Sequence, residues 1–169
     1  LAGQYAAGVH DGRAVPGYLD EDGAVPRSTT ETYVAISAFI DNWRWKGVPF
    51  FLQTGKRLGE RHTEIVVQFR EVPHNRVPGA ENAAAPNRLG IRLQPEETIT
   101  LELMNKQPGL YGVQLRPVAL NLSLAEAFGK ERRRIAYERL LLDALKGNST
   151  LFVRRDELEA AWTWIDGIH

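Results

Sequence analysis

The turn TGKRLGERH at residues 54–62 sets Lys56, Arg57 and Arg61 against a single acid, Glu60, directly after Gly55. A glycine removes a side chain where a ligand could approach the backbone. The ammonium of Lys56 is a compact point charge with three donors, suited to hydroxyls or a phosphoryl oxygen. The planar fork of Arg61 suits a phosphate. The chemistry would be capture of a small anion. The same charges would serve as a solvated turn that keeps a sheet edge soluble, and on residue types alone that plainer reading stands ahead.

A second convergence is Arg92-Leu93-Gln94-Pro95. Period-two alternation sends Arg92 and Gln94 to one face of a strand, where they could meet a ligand or satisfy each other and nearby carboxylates. The four histidines, His10, His62, His74 and His169, do not pair at metal-ligand spacing, so no zinc or iron site is expected. His10 beside Asp11 has the composition of an acid–base dyad but lies in a glycine-rich coil, where a histidine is usually solvated. The KERRR run at 130–134 reads as an exposed approach to a helix, with anion binding as the alternative. There is no GxGxxG after a strand, no Walker lysine loop and no GxSxG elbow. Read by itself, the chain offers half of a site and no general base with an orienting partner.

The elements that must position these residues follow from periodicity. At 169 residues the chain has the length of one ordinary domain. Its 21 basic and 21 acidic residues balance, which argues against nucleic acid or an anionic membrane as the main partner. Without cysteine there is no disulfide framework or thiol nucleophile, which fits a reducing, cytoplasmic setting. No apolar run approaches the length of a membrane helix. The chain opens on Leu1-Ala2-Gly3-Gln4-Tyr5 without a methionine, and an internal start is expected.

Residues 6–31 hold four glycines and two prolines and should run extended over a surface. Tyr33–Ile40 reads as a largely buried strand, and Val48–Leu52 and Glu64–Phe69 as two more. A proline- and asparagine-rich loop spans Pro73–Asn87. Leu89–Gln94, Thr98–Met104 and Val118–Leu124 alternate as half-buried strands do. Tyr137, Leu140, Leu141, Ala144 and Leu145 fall at helical spacing, ended by Gly147-Asn148. Asp156 with Glu159 suggests a capping-box start for a last helix whose Leu158, Ala161, Trp162 and Ile165 share a face. Strands first and helices last predict an α+β fold: a large, mainly antiparallel β-sheet with helices packed on one face. The open face of such a sheet wants a partner, and another copy of the chain is one candidate.

Several segments carry a further signal: GQY (3–5), GYLDEDGAVPRSTTETYVA (17–35), IDNWRWKGVPFFLQTGKRL (40–58), IRLQPEE (91–97) and AYERLLLDALKGNSTLFVRRDELEAAW (136–162). Together, and in this order, they resemble the C-terminal domain of the glucose-6-phosphate dehydrogenases, over nearly all of residues 1–169. The resemblance implies a single β+α domain, with the family's N-terminal dinucleotide-binding domain absent from the chain. It implies oxidation of glucose 6-phosphate at C1 to the lactone in the pentose phosphate pathway, with hydride passing to NADP. It also implies a homodimer or homotetramer built through the sheet. Lys56 corresponds to the family lysine that holds the sugar phosphate, Arg61 to a second basic position in the same pocket, and Gln94 to a pocket-lining position of the IRLQP motif.

The chain departs from the family pattern in several places. The Rossmann fingerprint, the RIDHYLGKE motif and the histidine base with its carboxylate partner are missing, so no catalytic residue is assigned. The stretch that carries basic residues for a second, structural NADP in eukaryotic members reads HTEIV (62–66) here, although Arg92 is retained. Ile135 stands where an acid is usual. Two readings compete with a substrate-binding part of a dehydrogenase. One is a non-catalytic dimerisation module with an incidental basic turn, and the other a free-standing sugar-phosphate-binding protein.

Overall fold

The computed structural model describes residues 1–10, 12–71, 85–110, 113–129 and 136–168. His74, His169, the KERRR run, Ile135, Asp11 and most of the Pro73–Asn87 loop therefore lie outside the described residues. The chain divides into two compact units, Leu1–Ser123 and Leu124–His169.

The first unit is built from strands β1 (Ala2–Gly3), β2 (Gly8–His10), β3 (Arg13–Val15), β4 (Tyr33–Phe39), β5 (Pro49–Gly55), β6 (Thr63–Gln68), β7 (Arg88–Gln94), β8 (Thr98–Lys106) and β9 (Leu115–Ser123). Every pairing among them is antiparallel, as the short connections predict. The strands form three separate sheets: β1-β4-β5, β2-β3 and β6-β7-β8-β9. The connection Lys56–His62, rich in glycine and charge, interrupts the ladder between the first and last of these. Residues 6–31 are more structured than their composition suggests, holding the β2–β3 hairpin and a 3₁₀ turn at Tyr18–Asp20.

The four-stranded sheet sorts its residues by parity. Ile65, Ile91, Ile99 and Leu122 stand in register across it, as do Val67, Leu89, Leu101 and Leu120. The opposite face carries Glu64, Arg92, Thr98 and Ser123 in one row and Gln68, Arg88, Glu102 and Ala119 in another. One face is apolar and the other polar, as period-two alternation dictates. Few residues are closed off: among the described residues only Gly17, Leu115 and Asp143 are buried. The prediction of a largely buried β4 is corrected accordingly. On one edge β5 pairs along its whole length, whereas on the other β1 covers only Tyr33 and Val34; Ser37 and Phe39 are exposed and the other residues of β4 half-buried.

The second unit contains α1 (Leu124–Phe128), α2 (Ala136–Leu145) and α3 (Arg155–Asp166). Helix α2 stops as expected: Gly147 takes a φ of +69°, and its N–H reaches the Ala144 carbonyl at 3.1 Å. The start of α3 differs from the expected Asp156–Glu159 box. Arg154 is the N-cap, its backbone N–H donating to Glu157 Oε2 at 3.1 Å. Asp156 is drawn instead to the Arg154 guanidinium, at 2.9 and 2.6 Å, and Glu159 to Arg155 at 3.4 Å. Both acids are claimed by the arginine pair that precedes them.

Candidate functional site

Lys56 stands immediately beyond the last residue of β5, and its position is fixed by the backbone. Its N–H donates to the Thr32 carbonyl at 2.8 Å, extending the β4–β5 ladder by one bond. Thr32 is itself anchored twice by the N-terminal segment: its N–H donates to the Gly3 carbonyl at 2.9 Å, and its Oγ1 accepts from the Tyr5 N–H at 2.9 Å. The Gln4 amide nitrogen continues this attachment, donating to the carbonyls of Ser28 at 2.7 Å and Thr30 at 2.8 Å. The segment GQY thus braces the strand that holds the cationic turn.

Gly55 has a structural reason for its size. It faces Tyr33 across the ladder, and a Cβ placed on it would lie 2.9 Å from Tyr33 Cδ2 and 3.3 Å from the Thr32 carbonyl oxygen. The space that the sequence reading reserved for a ligand is taken by the Tyr33 ring.

The turn then divides its positive charge. Arg57 adopts a φ of +52°, in the left-handed region that non-glycine residues seldom use. Its guanidinium pairs with the Glu21 carboxylate and lies 4.9 Å from the centre of the Tyr5 ring. The Tyr5 hydroxyl donates to the same carboxylate at 3.2 Å. Partial burial raises the Tyr5 phenol above its ordinary value; the Glu21 hydrogen bond and charge raise it further, and Arg57 opposes them. Glu60 is likewise occupied, 3.1 Å from His62 Nδ1. Lys56 and Arg61 are exposed and have no ion pair among the described residues.

Register carries Gln94 to the same connection. It is the Cα partner of Thr63, the first residue of β6, and Arg61 precedes Thr63 by two positions. Lys56 and Arg61 therefore occupy the two ends of the Lys56–His62 connection, with Gln94 across the ladder from its exit. The ladder shifts register between Thr63 and Glu64, at the point where Gln94 pairs, and the Gln94–Pro95 peptide is cis. Arg92 is not drawn to this end. It stands half-buried between Glu64 and Thr98 in the ladder.

A separate hollow opens on the polar face of the four-stranded sheet, over Gly90 and bordered by Glu64, Arg88, Thr100 and Glu102. A Cβ on Gly90 would stand 3.2 Å from Glu64 Oε1. Arg88 and Glu102 are cross-strand partners 3.9 Å apart. Among the described residues no group of three or more His, Cys, Asp or Glu comes together as a metal site would require. No described helix is long and apolar enough to cross a membrane. The sequence reading missed the Arg57–Glu21–Tyr5 cluster; an unpaired arginine next to a candidate lysine was its only local trace.

Comparison with known proteins adds the context this geometry lacks. The family model described as glucose-6-phosphate dehydrogenase, C-terminal domain, matches residues 1–169. The glucose-6-phosphate 1-dehydrogenase of Zymomonas mobilis is 56% identical over 99% of the chain and 35% of its own length. That of Rhizobium meliloti is 54% identical over 99% of the chain and 34% of its own length. The chain spans about a third of the curated relatives it matches. A solved glucose-6-phosphate dehydrogenase in complex with its substrate glucose 6-phosphate superposes with a TM-score of 0.83. It shares 39% identity with the chain and covers 96% of it, against 32% of the solved chain. The enzyme from Mycobacterium avium gives a TM-score of 0.68 at 35% identity, covering 93% of this chain and 31% of that one.

Proposed function

The chain belongs to the family of glucose-6-phosphate dehydrogenase C-terminal domains, and from that premise we propose that it supplies one wall of the substrate pocket of such an enzyme. The reaction is oxidation of glucose 6-phosphate at C1 to the lactone, with NADP as acceptor and a cytoplasmic setting. Lys56 and Arg61 hold the phosphate, and Gln94 offers its amide to a sugar hydroxyl.

The observation that carries this reading is the division of charge in the turn. Arg57 is paired with Glu21 and Glu60 lies against the His62 imidazole, whereas Lys56 and Arg61 stand exposed, without an ion pair among the described residues, at the two ends of one connection. A phosphate dianion suits that arrangement, since the ammonium gives a point charge and the guanidinium a fork. Backbone anchoring at Thr32 fixes the lysine before substrate arrives, which lowers the ordering cost of binding.

The residues present do not fit a dinucleotide. The Rossmann fingerprint is not in the sequence, and Arg92 has Glu64 and Thr98 as its register neighbours instead of further cations. In this proposal NADP and the general base are therefore held by parts of the enzyme outside this chain. What the chain contributes is binding and orientation of the sugar phosphate.

Assembly is the second contribution, supported by the apolar face of the four-stranded sheet. Ile65, Leu120 and Leu122 are each about half exposed there, a surface that a partner would cover. A homodimer or homotetramer built through the sheet accounts for it. Analytical ultracentrifugation reads this part, and a monomer at all concentrations overturns it.

Lys56→Ala in the full-length enzyme tests the substrate reading. The KM for glucose 6-phosphate should rise roughly tenfold or more, as loss of a charge-assisted contact implies, with the KM for NADP unchanged. Wild-type kinetics would reduce the chain to an assembly module with an incidental basic turn.

A further inference from the structure

We propose that Arg57, Glu21 and Tyr5 form a latch that aims the Lys56–Arg61 turn, and that all three are positioning residues for sugar-phosphate binding. The inference rests on the reading of Lys56 as the phosphate contact.

It begins with strain. Arg57 holds a φ of +52°, although the chain could have placed glycine or asparagine there at little cost. A side chain held in a sparsely populated conformation persists only where its surroundings over-determine it. Here they do. The guanidinium is fixed on one side by the Glu21 carboxylate and on another by the Tyr5 ring face, 4.9 Å away. Glu21 is shared, since the Tyr5 hydroxyl donates to the same oxygen at 3.2 Å.

The latch has its own foundation. The Tyr18 N–H donates to the Tyr5 carbonyl at 3.0 Å, and the two rings meet edge to face with centroids 5.9 Å apart. The Glu21 N–H donates to the Tyr18 carbonyl at 3.3 Å. Gly17, just before, is packed so closely that a Cβ would stand 2.9 Å from the Ala7 nitrogen. Thr32 joins this foundation to the turn, because its hydroxyl takes the Tyr5 N–H while its carbonyl takes that of Lys56. Lys56 is therefore held through its own N–H on one side and through Arg57 on the other.

Two plainer roles fit less well. Arg57 and Glu21 are 36% and 32% exposed along their side chains, and ion pairs so placed contribute little to stability. Nor is Arg57 a third phosphate ligand, since its charge is already met and its guanidinium is committed to Tyr5. Its work is to direct the chain, so that Lys56 and Arg61 present their charges together.

Glu21→Gln in the full-length enzyme separates these roles by sign. The substitution releases a positive charge beside the turn, so a purely electrostatic role would tighten phosphate binding. Loss of the latch weakens it. The expected result is a rise of roughly three- to tenfold in the KM for glucose 6-phosphate, as misorientation of a binding group produces. The KM for NADP and the melting temperature should stay unchanged. Arg57→Ala should raise the same KM, and the double variant should be no worse than either single one, as expected of residues acting as a unit. Should Arg57→Ala fold poorly, Glu21→Gln carries the test alone. An unchanged or lowered KM in Glu21→Gln, with Lys56→Ala still impaired, overturns the latch and leaves the phosphate reading standing. An unimpaired Lys56→Ala overturns both.

Discussion

Tyr33 and Gly55 are register partners at the end of the three-stranded sheet, and the ring of the first fills the space a side chain on the second would need. The contact limits what the turn can tolerate. A methyl group on Gly55 must push the Tyr33 ring or the Thr32 carbonyl, and that carbonyl also receives the Lys56 N–H. Gly55→Ala should cost about 1–3 kcal/mol, the usual range for an overpacked site. Thermal unfolding of the chain measures it. Adding Tyr33→Ala should make the pair less than additive, because the ring is the nearest obstacle. Simple additivity would mean that the Thr32 carbonyl sets the cost.

A preformed half-site should bind without the rest of the enzyme. Glucose 6-phosphate added to the isotope-labelled chain should shift the amides of Gly55, Lys56 and Arg61, and plain glucose should not. The contrast isolates the phosphate, which supplies most of the charge-assisted binding. Uniform silence at high ligand concentration would mean that the cations converge only when the remainder of the enzyme is present.

Much of this arrangement was readable in the sequence because it follows local periodicity. Thr98–Lys106 and Arg88–Gln94 alternate apolar and polar residues, and each was placed within a residue or two of its bounds. The alternation at Val118–Leu124 marks only part of β9, which runs Leu115–Ser123 and contains Pro117. As an edge strand, β9 can turn the missing N–H outward, and only the sheet order reveals that. Residue type makes Lys56, Arg61 and Gln94 candidates, the family resemblance gives them their expected roles, and their shared connection follows from register. The Glu21–Arg57 pair spans the hairpin-to-sheet distance in sequence, has no periodic signature, and emerges only once Tyr5 is fixed to Thr32. Gly55 was legible as a special position, but for the wrong reason.

Tyr5 reports the state of the latch directly. Its phenol lies above the ordinary value of 10.0, by burial first and by Glu21 second. A tyrosine whose folded-state value is raised stabilises the fold below the unfolded value, and that contribution is lost as pH rises through the folded one. A ¹³C NMR titration of the tyrosine rings should find Tyr5 titrating above 10.0. Glu21→Gln should lower its midpoint and Arg57→Ala should raise it, because the first removes a negative neighbour and the second a positive one. Equal midpoints in the parent and both variants would mean that the cluster is open in solution.

The C-terminal end of α2 is organised around one carboxylate. Asp143, 2% exposed, sits within a leucine-rich helix and is satisfied from both sides. Arg139 Nε donates to Oδ2 at 3.0 Å from one turn earlier, and Asn148 Nδ2 donates to Oδ1 at 3.4 Å from beyond the helix end. The Asn148 N–H also donates to the Asp143 carbonyl at 2.8 Å, so Asn148 ties off the last turn of α2 as well. Its amide oxygen in turn accepts from the Thr150 N–H and hydroxyl, at 3.2 and 2.6 Å. Asp143→Ala removes a buried acceptor with two donors and should cost about 2–3 kcal/mol. Arg139 is 63% exposed along its side chain, so Arg139→Ala should cost no more than about 1 kcal/mol. Denaturant unfolding followed by far-ultraviolet circular dichroism distinguishes the two. Equal losses would place the energy in the ion pair, whereas the expected inequality places it in the buried acceptor and the helix end that it closes.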